Sequence, residues 1–204
     1  MIYGTDFSAN LADVLAKHLS QKAQKNPLQL AKTHIILPTR RACLALKEAF
    51  FKLNKNTLLP QMIPLYELEN LEADLPPALP KWERLFLLTK LCQAKPNLTE
   101  VTKAFQVAVS LAELLDSSYQ YDVDLSKINE LIPTESFAQH WQETVQFLDI
   151  IQNVWPKILS KRGQTDAGDR LQKLIRSYAK KMTPATPVIV AGLTGDLPAV
   201  AELM

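Results

Sequence analysis

Two turns in this chain of 204 residues carry side chains suited to phosphate. The first is Pro38-Thr39-Arg40-Arg41, directly after the apolar run His34-Ile35-Ile36-Leu37. A hydroxyl, two guanidinium groups and the free N–H groups of a following helix are the donors that hold a phosphate. The second is Gly192-Leu193-Thr194-Gly195-Asp196, after Pro187-Val188-Ile189-Val190-Ala191. Gly192, Gly195 and Asp196 make it a candidate phosphate loop, with Asp196 a carboxylate at a strand end. A third turn, Gly4-Thr5-Asp6-Phe7-Ser8, stands between Met1-Ile2-Tyr3 and a helix, where a nucleotide loop would lie. A Walker loop needs several glycines and a Lys-Ser/Thr pair at the helix start. This turn has one glycine and lacks the pair. Gly4, Thr5 and Ser8 therefore form a degenerate nucleotide loop, and no ATP hydrolysis is expected there. The plain alternative for the first turn is that Thr39 only caps a helix and that Arg40 and Arg41 are solvated.

Other chemistry is sparse. His18, His34 and His140 are scattered and pair with no nucleophile. Ser8, Ser110 and Ser136 lack a nucleophile-elbow context. Asp122 and Asp124 fit a polar turn better than a metal site, and Glu113 and Asp116 share a helix face without an evident partner. No Cys/His cluster has metal-ligand spacing. Cys43 and Cys92 sit in apolar helical contexts and read as buried free thiols of a reducing compartment. The residues alone point to a binding or structural module with no catalytic residue, metal or cofactor in this segment.

The elements that must position these turns follow from periodicity. Met1 to Tyr3 reads as a short strand, and Leu11, Val14, Leu15, His18 and Leu19 as a helix capped by Ser8 or Asn10. Gln24 to Lys32 reads as a polar linker. His34 to Leu37 is a strand stopped by Pro38, and Cys43, Leu44, Leu46, Phe50 and Phe51 mark the helix after it. Leu58 to Leu65, with two prolines, holds a further short strand at an edge.

From Lys81 to Met182 the pattern is helical. Trp82, Leu85, Phe86, Leu88 and Leu91 line one helix, and Val101 to Leu115 the next, capped by Thr99. A short helix follows from Leu125 to Leu131. A long one carries Phe137, Trp141, Val145, Leu148, Ile151, Trp155 and Ile158, with a kink or break at Pro156 and an end at Gly163. Another starts at Asp166 or Asp169, lined by Leu171, Leu174, Ile175 and Tyr178. Trp82, Trp141 and Trp155 are expected in the core rather than as base-stacking platforms. Pro187 to Ala191 is the clearest strand, and Ala199 to Met204 starts a helix at which the chain stops, as if cut from a larger protein.

Charge is unevenly spread. Residues 1–60 carry nine Lys/Arg against three Asp/Glu, residues 61–150 six against fourteen, and residues 151–204 eight against four. If the two basic ends meet, they form a basic unit with an acidic insert, a footprint that suits nucleic acid. The expected division is 1–75 and 184–204 for the α/β part and 76–183 for the helical insertion. There is no signal peptide pattern and no apolar run of membrane-spanning length, so a cytoplasmic protein without a membrane partner is expected.

Ile35-Ile36-Leu37-Pro38-Thr39-Arg40-Arg41-Ala42-Cys43 with Leu46 to Phe50 resembles the N-terminal region of the AddB family. These are the partner subunits in bacterial AddAB helicase–nuclease complexes, which process DNA double-strand breaks. Leu58 to Leu65, Ala138 to Pro156 and Pro187 to Ala199 resemble later stretches of the family in the same order, so the resemblance spans most of the chain. It implies a helicase-like RecA-type α/β fold, a P-loop-like parallel sheet, with a large all-helical insertion. It implies that Thr39, Arg40 and Arg41 contact the backbone of single-stranded DNA. Thr194 falls in the place of a later motif coupling nucleotide and DNA, though no glutamine follows Asp196 in the family's manner. The implied partners are an AddA-type helicase–nuclease subunit and single- or double-stranded DNA. The full-length protein would be an ATP-dependent exonuclease/helicase subunit, this segment being non-hydrolysing. Two rival readings are a protein-interaction scaffold without DNA binding, and a nucleotide- or phosphate-using α/β enzyme built on Gly192 to Asp196.

Overall fold

The structure, a computed structural model, describes residues 3–6, 8–23, 26–54, 58–70, 74–94, 103–127, 148–181 and 187–204. Helix α1 (Leu11–Ala23) starts at Asn10, whose Oδ1 accepts the Ala12 N–H at 3.0 Å. Helix α2 (Pro27–Ala31) replaces the expected linker, with Asn26 accepting from the Gln29 N–H and Pro27 in its first turn. An Asn cap followed by Pro is a helix start in itself, even where the helix is too short to show a period.

Strand β1 (His34–Leu37) buries Ile35, Ile36 and Leu37. Pro38 ends it, and Thr39 caps helix α3 (Arg40–Leu53) by accepting the Ala42 N–H at 3.1 Å. That helix turns Leu46, Ala49 and Phe50 inward. Strand β2 (Gln61–Pro64) runs parallel to β1, so β1, α3 and β2 form a βαβ unit. A 3₁₀ turn, Leu65–Asn70, follows directly.

A third strand among the described residues, β3 (Val188–Val190), comes from the far end of the sequence and pairs parallel with the other side of β1. The sheet order is β2-β1-β3, with Ile35 opposite Met62 on one side and Ile189 on the other. Thus the fold is mixed α/β, mostly helical, with a small open three-stranded parallel sheet. Ile35 and Leu37 pack with Ala16 and Leu19 of α1, Leu30 of α2, and Leu46, Ala49 and Phe50 of α3. Ile36 points to the opposite face and is also fully buried, so both faces of the central strand are covered.

The chain divides into two compact units, residues 1–72 with 174–204, and residues 73–173. The first contains the sheet and carries twelve Lys/Arg against eight Asp/Glu, the second eleven against thirteen. In the second unit α4 (Lys81–Gln93) packs along α5 (Ala104–Tyr121) through Leu85, Leu88, Cys92, Ala108, Leu111 and Leu115.

Trp82 and Phe86 do not line this core; they are 75% and 60% exposed. The buried arc of α4 runs from Arg84 through Leu85, Leu88 and Cys92. Phe86 lies one residue beyond Leu85, about 100° round the helix, on the solvent side. Trp155, by contrast, is fully buried. It opens α6 (Trp155–Arg162) after a π turn, Ile150–Val154, in which the Trp155 N–H reaches back to the Ile150 carbonyl. The expected break at Pro156 takes this form. A residue without an N–H is placed in the first turn of a new helix, and the wider π turn absorbs the offset. The rest of the expected long helix, with Trp141 and His140, lies outside the described residues, as do Met1, Ile2, Thr99 and residues 128–131.

An Arg84-centred cluster holds the helical unit. Arg84 is buried and donates through Nη1 to Asp116 at 2.8 Å and through Nη2 to the Ala112 carbonyl at 3.1 Å. Its Nε stands 3.1 Å from Oδ2 of Asp166, which is fully buried and accepts the Trp155 indole N–H at 2.9 Å. The Nε–H is not aligned on that oxygen, so the contact is an ion pair rather than a hydrogen bond. Asp116, expected to be without a partner, thus has one. Asp166 immediately precedes α7 (Ala167–Lys181), whose second half belongs to the sheet unit. There Tyr178 Oη lies 2.5 Å from His34 Nδ1, and Arg176 pairs with Glu202 on α8 (Pro198–Leu203).

Candidate phosphate-binding edge

In an open parallel sheet, ligands bind beyond the carboxyl ends of the strands. Three segments of the sheet unit meet at that edge. The turn after β1 presents Thr39, Arg40 and Arg41, all exposed. The loop after β3 presents Gly192 to Asp196. Gly192 brings this loop against the start of α1 and against Pro38. A Cβ on Gly192 would lie 3.1 Å from Leu11 Cδ2 and 3.6 Å from Pro38 Cδ. Gly192 also has φ +68°, a left-handed conformation that costs any residue with a Cβ. Glycine is needed here on both counts. It allows the β3 loop to close onto the turn that carries the two arginines, although about 150 residues separate them in sequence.

The donors at this edge are unequally available. The Thr39 hydroxyl oxygen is committed to the Ala42 N–H, so Thr39 serves first as a cap. Arg40 is 84% exposed at its side chain and forms an ion pair with Glu67, in the 3₁₀ turn after β2. No described residue pairs with Arg41, whose guanidinium is open to solvent. Thr194 donates its hydroxyl to Asp196, so the two polar side chains of the last loop engage each other. Gly195 is exposed, and a Cβ there would meet only the Met204 Sδ at 3.7 Å.

The first turn supplies little to an anion. Gly4 and Thr5 are exposed, and a Cβ on Gly4 would meet nothing within 4 Å. Ser8 donates both its backbone N–H and its hydroxyl to Asp6 Oδ1, at 3.1 and 3.0 Å. These two bonds hold the Asp6 carboxyl below its ordinary pKa. The donors that a phosphate loop would turn to its ligand are occupied by the loop's own carboxylate. Ser8 is therefore not the helix cap either, and Asn10 takes that role.

Glu67 is the residue of this edge that sequence reasoning passed over. It lies in a short acidic stretch, and nothing local distinguishes it from a solvated loop residue. Only the parallel pairing of β1 with β2 carries it to the start of α3. Its charge is also felt by Cys43, in the first turn of that helix. The thiol pKa is raised above its ordinary value by burial first and by Glu67 second.

Among the described residues no group of three or more His, Cys, Asp and Glu side chains is arranged to hold a metal ion. No helix there is long and apolar enough to cross a membrane. Comparison with models of known protein families, with curated proteins and with solved structures found no match to this chain.

Proposed function

We propose that the sheet unit is a helicase-like, RecA-type remnant that binds the backbone of single-stranded DNA without hydrolysing nucleotide, in the manner of the N-terminal region of an AddB-type repair subunit. The observation that carries this reading is the meeting of the Arg40-Arg41 turn with the Gly192 loop at the carboxyl edge of a parallel sheet. Two guanidinium groups at the N-terminus of α3 offer phosphate both fixed geometry and favourable charge. The net positive charge of this unit adds an attraction that is independent of sequence. Base readout is not part of the proposal, because contacts to phosphate position a strand but do not select its sequence. On this reading the protein works in the cytoplasm beside an AddA-type helicase–nuclease subunit in double-strand break repair, and this segment needs no cofactor.

The test is the binding of a labelled oligo(dT) to the chain over a range of salt. Replacing both Arg40 and Arg41 by Ala should weaken binding and flatten the salt dependence by roughly 0.7 per lost phosphate contact. An unchanged slope refutes the assignment. The exposed pair Trp82 and Phe86 on the helical unit favours a second reading, a protein-interaction scaffold. Undetectable DNA binding at low salt, with retained capture of an AddA-type partner, would establish that one instead.

A further inference from the structure

We infer that Glu67 is a resident counter-ion of the Arg40 site, which a nucleic-acid phosphate must displace, and that it thereby sets the affinity of this edge. The inference rests on the DNA-backbone reading above. One observation places Glu67 there, its ion pair with Arg40, the first residue of α3; in keeping with that position, its charge adds to burial in raising the pKa of Cys43, three residues further on. The first turn of α3 has no acidic residue of its own. The helix N-terminus and its arginine thus receive their counter-charge from a different element, the 3₁₀ turn after β2.

A carboxylate and a phosphate oxygen compete for the same face of a guanidinium. Arg41, which no described residue engages, makes the first contact with an incoming strand. Arg40 joins only as Glu67 lets go. A ligand with several linked phosphates offsets that exchange through neighbouring contacts, whereas a lone phosphate has none to add. The pair is exposed, so the barrier is modest and falls with salt.

The experiment is a double-mutant cycle read by fluorescence anisotropy of oligo(dT) on the purified chain at low salt. Glu67→Gln preserves shape and removes the charge. It should tighten binding roughly two- to fivefold, the range of an exposed ion pair. The gain should shrink as salt is added and should vanish when Arg40 is also replaced by Ala. Equal thermal melting of the parent and Glu67→Gln excludes a folding effect, and Glu67→Ala repeats the test if the Gln variant melts lower. If parent and Glu67→Gln bind alike while Arg40→Ala/Arg41→Ala binds more weakly, the counter-ion role is refuted and the DNA reading stands. A gain that persists in the Arg40→Ala background also refutes it, because Glu67 would then act by general repulsion. If the arginine replacements leave binding unchanged, or the parent binds no DNA, both fall together.

Discussion

Replacing Arg84 by Met keeps the apolar stem of the side chain and removes its charge. In the parent the Arg84 side chain is 8% exposed, and its guanidinium faces Asp166, Asp116 and the Ala112 carbonyl. Asp116 has a half-exposed side chain and rehydrates once its partner is gone. Asp166 cannot, because it is fully buried, and the Trp155 indole N–H remains as its side-chain donor. Breaking a buried pair from one side leaves an uncompensated charge and costs about 3–5 kcal/mol. Against a total stability on the order of 5–15 kcal/mol, that is a large share.

The pH dependence of this loss has a definite sign. Burial raises the Asp166 carboxyl above its ordinary pKa of 3.8, and Arg84 is the strongest influence holding it down. Without Arg84 it rises further. A carboxyl whose folded pKa exceeds its unfolded one favours the fold below the unfolded value. That contribution is lost as pH climbs through the folded value. Arg84→Met should therefore be most destabilised at pH 7 and should regain part of the difference from the parent at pH 5. Adding Asp166→Asn should recover stability at pH 7, since the orphaned charge is gone. Urea unfolding, followed by circular dichroism and tryptophan fluorescence at both pH values, reads all three variants. A single mutant within about 1 kcal/mol of the parent at pH 7 would refute the buried-pair account. So would a double mutant no more stable than the single one.

Two further outcomes follow from the edge of the sheet. Cys43 should be alkylated more slowly than an unstructured thiol at pH 8.5, its rate rising only at higher pH, and Glu67→Gln should move that profile downward. No shift with Glu67→Gln would mean that the carboxylate does not reach the start of α3. Gly192→Ala should cost about 1–2 kcal/mol, because the left-handed backbone strains any Cβ-bearing residue. The Leu11 side chain must also give way to the new methyl group. A neutral effect in thermal melting would mean that the β3 loop is free to move off Pro38.

Local chemistry made part of this molecule legible in one dimension. A β-branched run stopped by Pro38 and followed by Thr39 specifies strand, turn and capped helix over residues 34–53. Each signal acts within four residues and needs no distant partner. The strand at residues 188–190 was readable for the same reason, whereas the parallel sheet was expected only from the family resemblance, because its pairing joins segments about 150 residues apart. α2 was missed because five residues are too few to show a period, although Asn26-Pro27 marks its start.

Tertiary structure decided what no local pattern encodes. Trp82 and Phe86 have the hydrophobicity of core residues, but the helix phase set by Leu85, Leu88 and Cys92 turns them outward. Arg84 looks like a surface residue and is buried, because Asp166, 82 positions away, supplies its counter-charge. Arg40 and Arg41 are adjacent and chemically identical in sequence. Only the placement of β2 beside β1 gives one of them a carboxylate partner and leaves the other open to solvent. Short-range preferences choose the elements; charge compensation and sheet order are properties of pairs far apart along the chain, and they exist only once it has folded.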